Sequence, residues 1–236
     1  MSERSPAKTP RTLRARVRAE MTEEIKTVAR RHLATDGANL SLRAVARDLE
    51  MASSAVYRYF ASRDELLTAL IIDAYNTVGE AAEQAAAAQT APLEKWLAAG
   101  HAVRDWALAN PHEWALIYGS PVPGYQAPAD TITPATRVLL LLGAILTGAY
   151  EAGEIPAREP LAGRFAQELA PIAAQYSPGM PTRVIAETIA AYFQICGAIS
   201  YELFGQLKNS VEDDRRGFFE FQMRNAAATA GLTGVQ

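Results

Sequence analysis

The chain has 236 residues, 49% hydrophobic and 21% charged, with a formal net charge of −3. That is enough apolar material for more than one core, and the mild acidity excludes a uniformly basic binder of polyanions. One cysteine, Cys196, and three histidines without ligand spacing (His32, His101, His112) exclude a disulfide framework and a metal cluster. The chain opens on residues 1–18, MSERSPAKTPRTLRARVR, with six basic side chains, one acid and prolines at positions 6 and 10. So little apolar surface cannot offset the entropy of ordering, and a disordered basic arm is expected. No hydrophobic stretch follows it, so it is not a secretory signal, and a cytoplasmic protein is expected.

A small helical domain is expected over residues 19–75. Ile25, Val28, Ala29, His32 and Leu33 form one stripe of an amphipathic helix that should stop near Asp36-Gly37, where glycine supplies a left-handed cap. Leu42, Val45, Ala46 and Leu49 repeat the helical spacing, and a turn follows at Glu50, Met51 and Ala52. A second short helix, from Ser53 to about Tyr59, can bury Val56 and Phe60 while turning Ser53, Ser54, Tyr57 and Arg58 outward. Two short helices across a tight turn, the second faced with hydroxyls, a phenol and a guanidinium, have the layout of a DNA-binding helix-turn-helix. Ser62-Arg63-Asp64-Glu65 then reads as a capping box opening a long helix to about Ala88.

The run Val56-Tyr57-Arg58-Tyr59-Phe60-Ala61-Ser62-Arg63-Asp64-Glu65-Leu66 closely resembles the signature of TetR-family transcriptional repressors, and the likeness extends over roughly residues 25–72. It implies an all-α protein: an N-terminal three-helix helix-turn-helix domain and a C-terminal helical ligand-binding and dimerisation domain. By the same resemblance Ser41 bonds a phosphate and Arg43 reaches DNA, while Ser53, Ser54 and Ala55 face base edges. Tyr57 and Tyr59 match aromatic contacts to backbone or bases, and Arg63 a phosphate partner; Arg58, on the outward face, is a further candidate. Glu50 stands where the family usually has the turn glycine, and Ala52 where it has a Ser or Thr cap. Tyr57 and Tyr59 also suit plain packing roles, and Arg43 and Arg58 a solvated face. Charge follows the division: residues 1–65 hold 13 basic and 9 acidic side chains, and residues 66–236 hold 10 and 17. The arm could also lie along DNA or serve only to solubilise.

Residues 76–236 are expected to be helical throughout, in segments of about 93–109, 110–118, 133–153, 160–176, 181–206 and 211–230. Asn110-Pro111-His112-Glu113 reads as a capped start, as does Thr133-Pro134. The segment 119–133, with Pro121, Pro123 and Pro128, is long for a compact domain and suits the gate of a cavity. The uncharged run Val138–Tyr150 is too short to span a bilayer and reads as core. Asn110 to Trp114, on through Tyr118-Gly119-Ser120-Pro121, looks like the regulatory domains of a TetR subgroup marked by a Trp-His-Gly pattern.

Ligand pockets are mostly apolar with few polar anchors, which makes His101, Trp106, His112, Trp114, Tyr118, Tyr150, Phe165 and Phe193 the candidates, each equally suited to an ordinary core. In the family the last two helices pair with their mates in a dimer. Ile189, Phe193, Gly197, Ser200, Phe218 and Phe221 are the candidates there, against a monomeric core. The function expected is a ligand-responsive regulator, a homodimeric repressor released from a palindromic double-stranded operator by a small, largely apolar molecule. No catalytic residue, metal ligand, cofactor or membrane partner is expected. The alternative is a helical small-molecule-binding or interaction protein that has lost specific DNA binding, for which Glu50 and Ala52 are the only support. An enzyme built on the helical cavity is the other rival, but it lacks any nucleophile or phosphate-loop motif.

Overall fold

The computed structural model describes residues 13–37, 40–156 and 159–232, all helical or irregular. They fall into two compact units, residues 1–70 and 71–236.

In the first unit α1 (Leu13–Asp36), α2 (Leu42–Asp48), α3 (Ser53–Val56) and the start of α4 (Arg63–Ala87) share one small core. Ile25, Ala29, Val45, Val56, Leu66, Leu67 and Leu70 are its fully buried members. Helix α1 begins at Leu13, inside the stretch expected as a disordered arm; residues 1–12 lie outside the described residues. Its first turns follow Pro10 and hold no helix breaker, and Arg16 pairs with Glu20 one turn on at 3.1 Å. At the other end Gly37 takes φ 58° and its amide reaches the Leu33 carbonyl at 3.1 Å, as the sequence predicts. His32 lies at the edge of the apolar stripe, largely buried, and its Nε2 lies 2.8 Å from Asp48 Oδ2 on α2.

The turn after α2 adopts a left-handed stop without glycine. Glu50 stands at φ 54°, and the amides of Glu50 and Met51 bond the carbonyls of Arg47 and Ala46 at 3.0 and 2.9 Å. This is a Schellman closure, and a side chain there costs about 1 kcal/mol or more relative to glycine. Helix α3 is shorter than expected. After Val56 the bonds Arg58 to Ala55 and Tyr59 to Val56 tighten the chain, so that Phe60, 5% exposed, turns into the core.

In the second unit α5 (Pro92–Ala109), α6 (Pro111–Tyr118), α7 (Ile132–Glu151), α8 (Gly163–Tyr176), α9 (Thr182–Leu203) and α10 (Arg215–Ala230) complete the architecture with the rest of α4. Helix α9 touches α5, α6, α7, α8 and α10. Both α7 and α9 reach the length and hydropathy of a membrane span, α7 because the helix begins six residues before the short apolar run; both pack into this core.

Several ends differ from expectation for local reasons. Asn110 does not cap α6; its Nδ2 instead donates to the Trp106 carbonyl at 2.8 Å and closes α5. A 3₁₀ turn at Ala129–Thr131 feeds α7 directly, so the helix starts before Thr133-Pro134, and Thr131 Oγ1 donates back to Pro128. Gly205, at φ 77°, stops α9 early, and Asp214 starts α10 late by accepting the Gly217 amide at 2.8 Å.

Candidate functional site

Two sets of residues require placing. The first lies on α2, α3 and the start of α4. Ser41 is the N-cap of α2, its Oγ accepting the Ala44 amide at 3.4 Å, and it is exposed together with Arg43. On α3 Val56 is sealed in the core, so Ser54 and Arg58, two positions either side, point the opposite way and are exposed. Tyr57 beside them is 45% exposed, whereas Ser53 and Ala55 are half-buried. No side chain caps α3: Ala52 cannot, and Ser53, a possible substitute, lies inside the helix.

Tyr59 is held differently. The Arg18 guanidinium lies over its ring, 5.1 Å from the centroid, and Arg18 Nη2 donates to the Arg58 carbonyl at 3.0 Å. An arginine expected in the mobile arm thus holds the end of the short helix by a cation–π contact and a charge-assisted bond. Arg63 is about one-third exposed and pairs with Asp64 at 3.3 Å. Ser62 Oγ accepts the Glu65 amide at 3.1 Å, while Glu65 reaches back to the Ala61 amide at 2.6 Å, one residue before the expected partner. Sequence reasoning missed Arg47, 79% exposed and one turn beyond Arg43; that i, i+4 spacing on the outward side of α2 was the available signal. The exposed hydroxyls, phenol and guanidinium groups form a surface of hydrogen-bond donors suited to phosphates and base edges.

The second set, on the larger unit, is not gathered into one place. Trp114 is fully buried and its indole N–H donates to Ser200 Oγ at 3.1 Å. Tyr118 stacks against it at 4.2 Å and shares a 2.9 Å bond with the Tyr192 hydroxyl. Tyr75 meets Tyr118 edge-on at 5.8 Å. Burial raises all three phenols above their usual range and pushes the neighbouring Cys196 thiol up to about 12, so the cluster is uncharged at neutral pH.

His101 belongs to another cluster, 5.5 Å from the Phe219 ring and 3.6 Å from Glu220, with its Nδ1 buried and unpartnered. Desolvation holds it below the usual imidazole range. Trp106 and Tyr150 pack at the edge of the core, while His112, Phe165 and Phe193 are exposed.

None of these eight candidates lines either of two cavities in this unit. One, about 510 Å³, lies among α4, α6, α7 and the segment 119–131. The other, about 500 Å³, lies among α4, α5 and α7. Sequence reasoning favoured large aromatics, but Trp114 and Tyr118 are themselves packed core, and smaller side chains form most of the walls. Between the cavities α7 is clasped to α4. Arg137 binds Glu83 through Nε and Nη2 at 2.9 and 2.6 Å, and Asn76 through Nη1 at 3.0 Å. Gly79 permits this crossing, since a Cβ there would lie 2.9 Å from the Arg137 side chain. Among the described residues no group of three or more His, Cys, Asp or Glu could hold a metal.

The dimer candidates also separate. Phe193 and Phe221 are 66% and 60% exposed, and Gly197 and Phe218 border a surface hollow with Tyr201. Ser200 is turned inward to Trp114, and Ile189 lines an apolar hollow with α7 and α8.

Residues 25–70 match the family of bacterial regulatory proteins, tetR family, and residues 96–226 match the tetracyclin repressor-like, C-terminal domain. The chain is 39% identical over 218 residues to the HTH-type transcriptional regulator Rv1816 of Mycobacterium tuberculosis, covering 88% of this chain and 91% of that protein. Against the crystal structure of SCO4313 it is 33% identical with a TM-score of 0.75, over 93% of this chain and all of that one (100%). A tetR-family regulatory protein from Rhodococcus RHA1, at 16% identity and a TM-score of 0.62, covers 90% of this chain and 97% of its own, and shares the fold.

Proposed function

The chain belongs to the TetR family of bacterial regulatory proteins, and from that premise we propose that it is a homodimeric repressor released from a palindromic operator by a small molecule. The observation that carries the proposal is the outward row Ser54, Tyr57 and Arg58 on α3 and the turn that follows it, beside Ser41 and Arg43. Nothing in the core of that unit requires a half-exposed tyrosine between an exposed serine and an exposed arginine. Ser53, Ala55, Tyr59 and Arg63 complete the DNA-facing set, with Tyr59 acting through its packing beneath Arg18.

Pairing of two subunits is supported by the exposed aromatics on α9 and α10. Phe193, Tyr201 and Phe221 leave large apolar rings in water on adjacent helices, which a self-complementary two-fold contact would cover. The dimer must set its two α3 helices about 34–36 Å apart to enter successive major grooves. Small-molecule release is supported by the cavities bounded by α4, the helix that also carries Arg63. Occupancy shifts the dimer toward a conformer with the wrong spacing, and only a difference in affinity between the two conformers can drive that shift. The segment from Asn110 to Pro121 supports placing the chain in the Trp-His-Gly subgroup. No reaction is assigned to it.

The alternative, a relative that has lost DNA binding, rested on Glu50 and Ala52. Its support is weakened by Glu50 itself, which keeps the left-handed turn that a glycine would make. The decisive test is an anisotropy titration of the purified protein with the DNA upstream of its own coding region, against a random duplex. Preference for the upstream fragment, lost in Tyr57→Ala, is expected. Equal affinity for both duplexes would sink the proposal.

A further inference from the structure

The two larger cavities described above differ in chemistry rather than size. The wall of the 500 Å³ cavity includes Glu83, Lys95 and Glu154. The 510 Å³ cavity has no charged residue among its 14 lining residues; Ile71, Tyr75, Ile117, Val122, Tyr125 and Ala135 account for much of its wall. Three of its five lining hydroxyls are committed as donors. Tyr75 OH donates to the Ile117 carbonyl at 3.1 Å, Thr131 Oγ1 to Pro128 at 2.7 Å, and Thr136 Oγ1 to Thr133 at 3.1 Å. With those protons placed, the three oxygens retain lone pairs and remain as acceptors.

Two further features bear on occupancy. The segment 119–131 that closes one side leaves α6 at Gly119, where a Cβ would lie 2.3 Å from the Ala115 carbonyl oxygen, so the path into the loop is dictated by a residue without a side chain. Burial raises the Tyr75 phenol above its usual range, which keeps this wall neutral at physiological pH. An ion entering would find no countercharge on the wall, since the nearby Arg137 is engaged by Glu83 and Asn76. The size is that of an ordinary small-molecule site.

We propose that this cavity is the effector site, and that its effector is an uncharged, largely apolar molecule bearing a hydroxyl or N–H donor. The proposal rests on the reading of the chain as a ligand-released regulator, and names the site and ligand class that reading leaves open.

The test uses the full chain and 1-aminoanthracene, a neutral aromatic amine whose fluorescence rises on leaving water. A saturable rise is expected, lost in Ala135→Trp and in Ala127→Trp, which fill the cavity from its helix and its exposed loop, and retained in Ala144→Trp, which fills the charged cavity instead. Circular dichroism identifies any variant that fails to fold, and the loop variant stands in for a misfolded helix variant. Neutral 2-naphthol should displace the probe at least about tenfold more effectively than 2-naphthoate, the same rings bearing a carboxylate that the wall cannot pair. The proposal is overturned by no saturable rise, by a rise that survives both cavity-filling variants, or by equal displacement by the two naphthalenes. Affinity for upstream DNA is measured on the same preparation without probe. Failure there alone removes the regulator reading and leaves the binding site standing.

Discussion

The two units use polar and aromatic side chains in opposite ways. The first seals a small apolar core and sets Ser54, Tyr57 and Arg58 in water. The second takes its polar chemistry inside. Arg104 and Glu202, with side chains 8% and 6% exposed, form a two-pronged pair at 2.8 and 2.5 Å, and the Trp96 indole donates to the Met223 carbonyl at 3.1 Å. That unit also leaves some of its aromatics outside, among them Phe193, Tyr201 and Phe221. Where polar groups face solvent they are free to meet a partner; where they are buried they set the register of helices distant in sequence. Exposed rings then mark the surface that a single subunit leaves unfinished.

That contrast can be broken at its strongest point by Glu202→Ala, which leaves the buried Arg104 guanidinium with only the longer 3.4 Å contact to Asp105. A loss of about 3–5 kcal/mol in denaturant unfolding is expected, while Arg104→Met with Glu202→Leu together should recover most of it. The opposite behaviour is expected at Tyr57→Ala. Folding stability should change by less than about 0.5 kcal/mol, but operator affinity should fall by roughly 1–3 kcal/mol; a stability loss without an affinity loss would assign Tyr57 to packing. Ser62→Ala removes the cap of α4 and should cost about 1 kcal/mol by thermal unfolding. Glu50→Gly relieves a left-handed side chain and should gain about 0.5–1 kcal/mol, read as a shift in the denaturant midpoint.

The smallest effect is a pH slope. Desolvation lowers the folded pKa of His101 from the usual 6.5, so the unfolded chain takes up the proton first. Stability present above about pH 6.5 therefore declines as pH falls from there through the folded value. His101→Phe should flatten that part of the profile; an unchanged slope would place its origin elsewhere.

Legibility followed the range of the interactions. The helices of the first unit, the Gly37 stop and the Ser62 cap were readable because each depends on residues within one or two turns. The start of α1 was misjudged because composition argued for disorder, whereas Arg18 is held by Tyr59 and the Arg58 carbonyl, some forty residues away. Asn110 was misjudged because a short polar side chain can close the preceding helix as well as open the next. The cavity walls were unreadable, since small residues such as Ala135 and Thr136 have no distinctive pattern until the helices are packed.

From the amino-acid order alone came the all-helical class, the helix-turn-helix and its outward row, because helical periodicity and caps are written within a few residues of one another. Only the tertiary structure decided which buried charges pair, which of two similar cavities is free of charge, and which aromatics remain in water. Those outcomes depend on contacts such as Arg104 with Glu202, 98 positions apart, and on the space left when helices that pattern alone cannot pair come together.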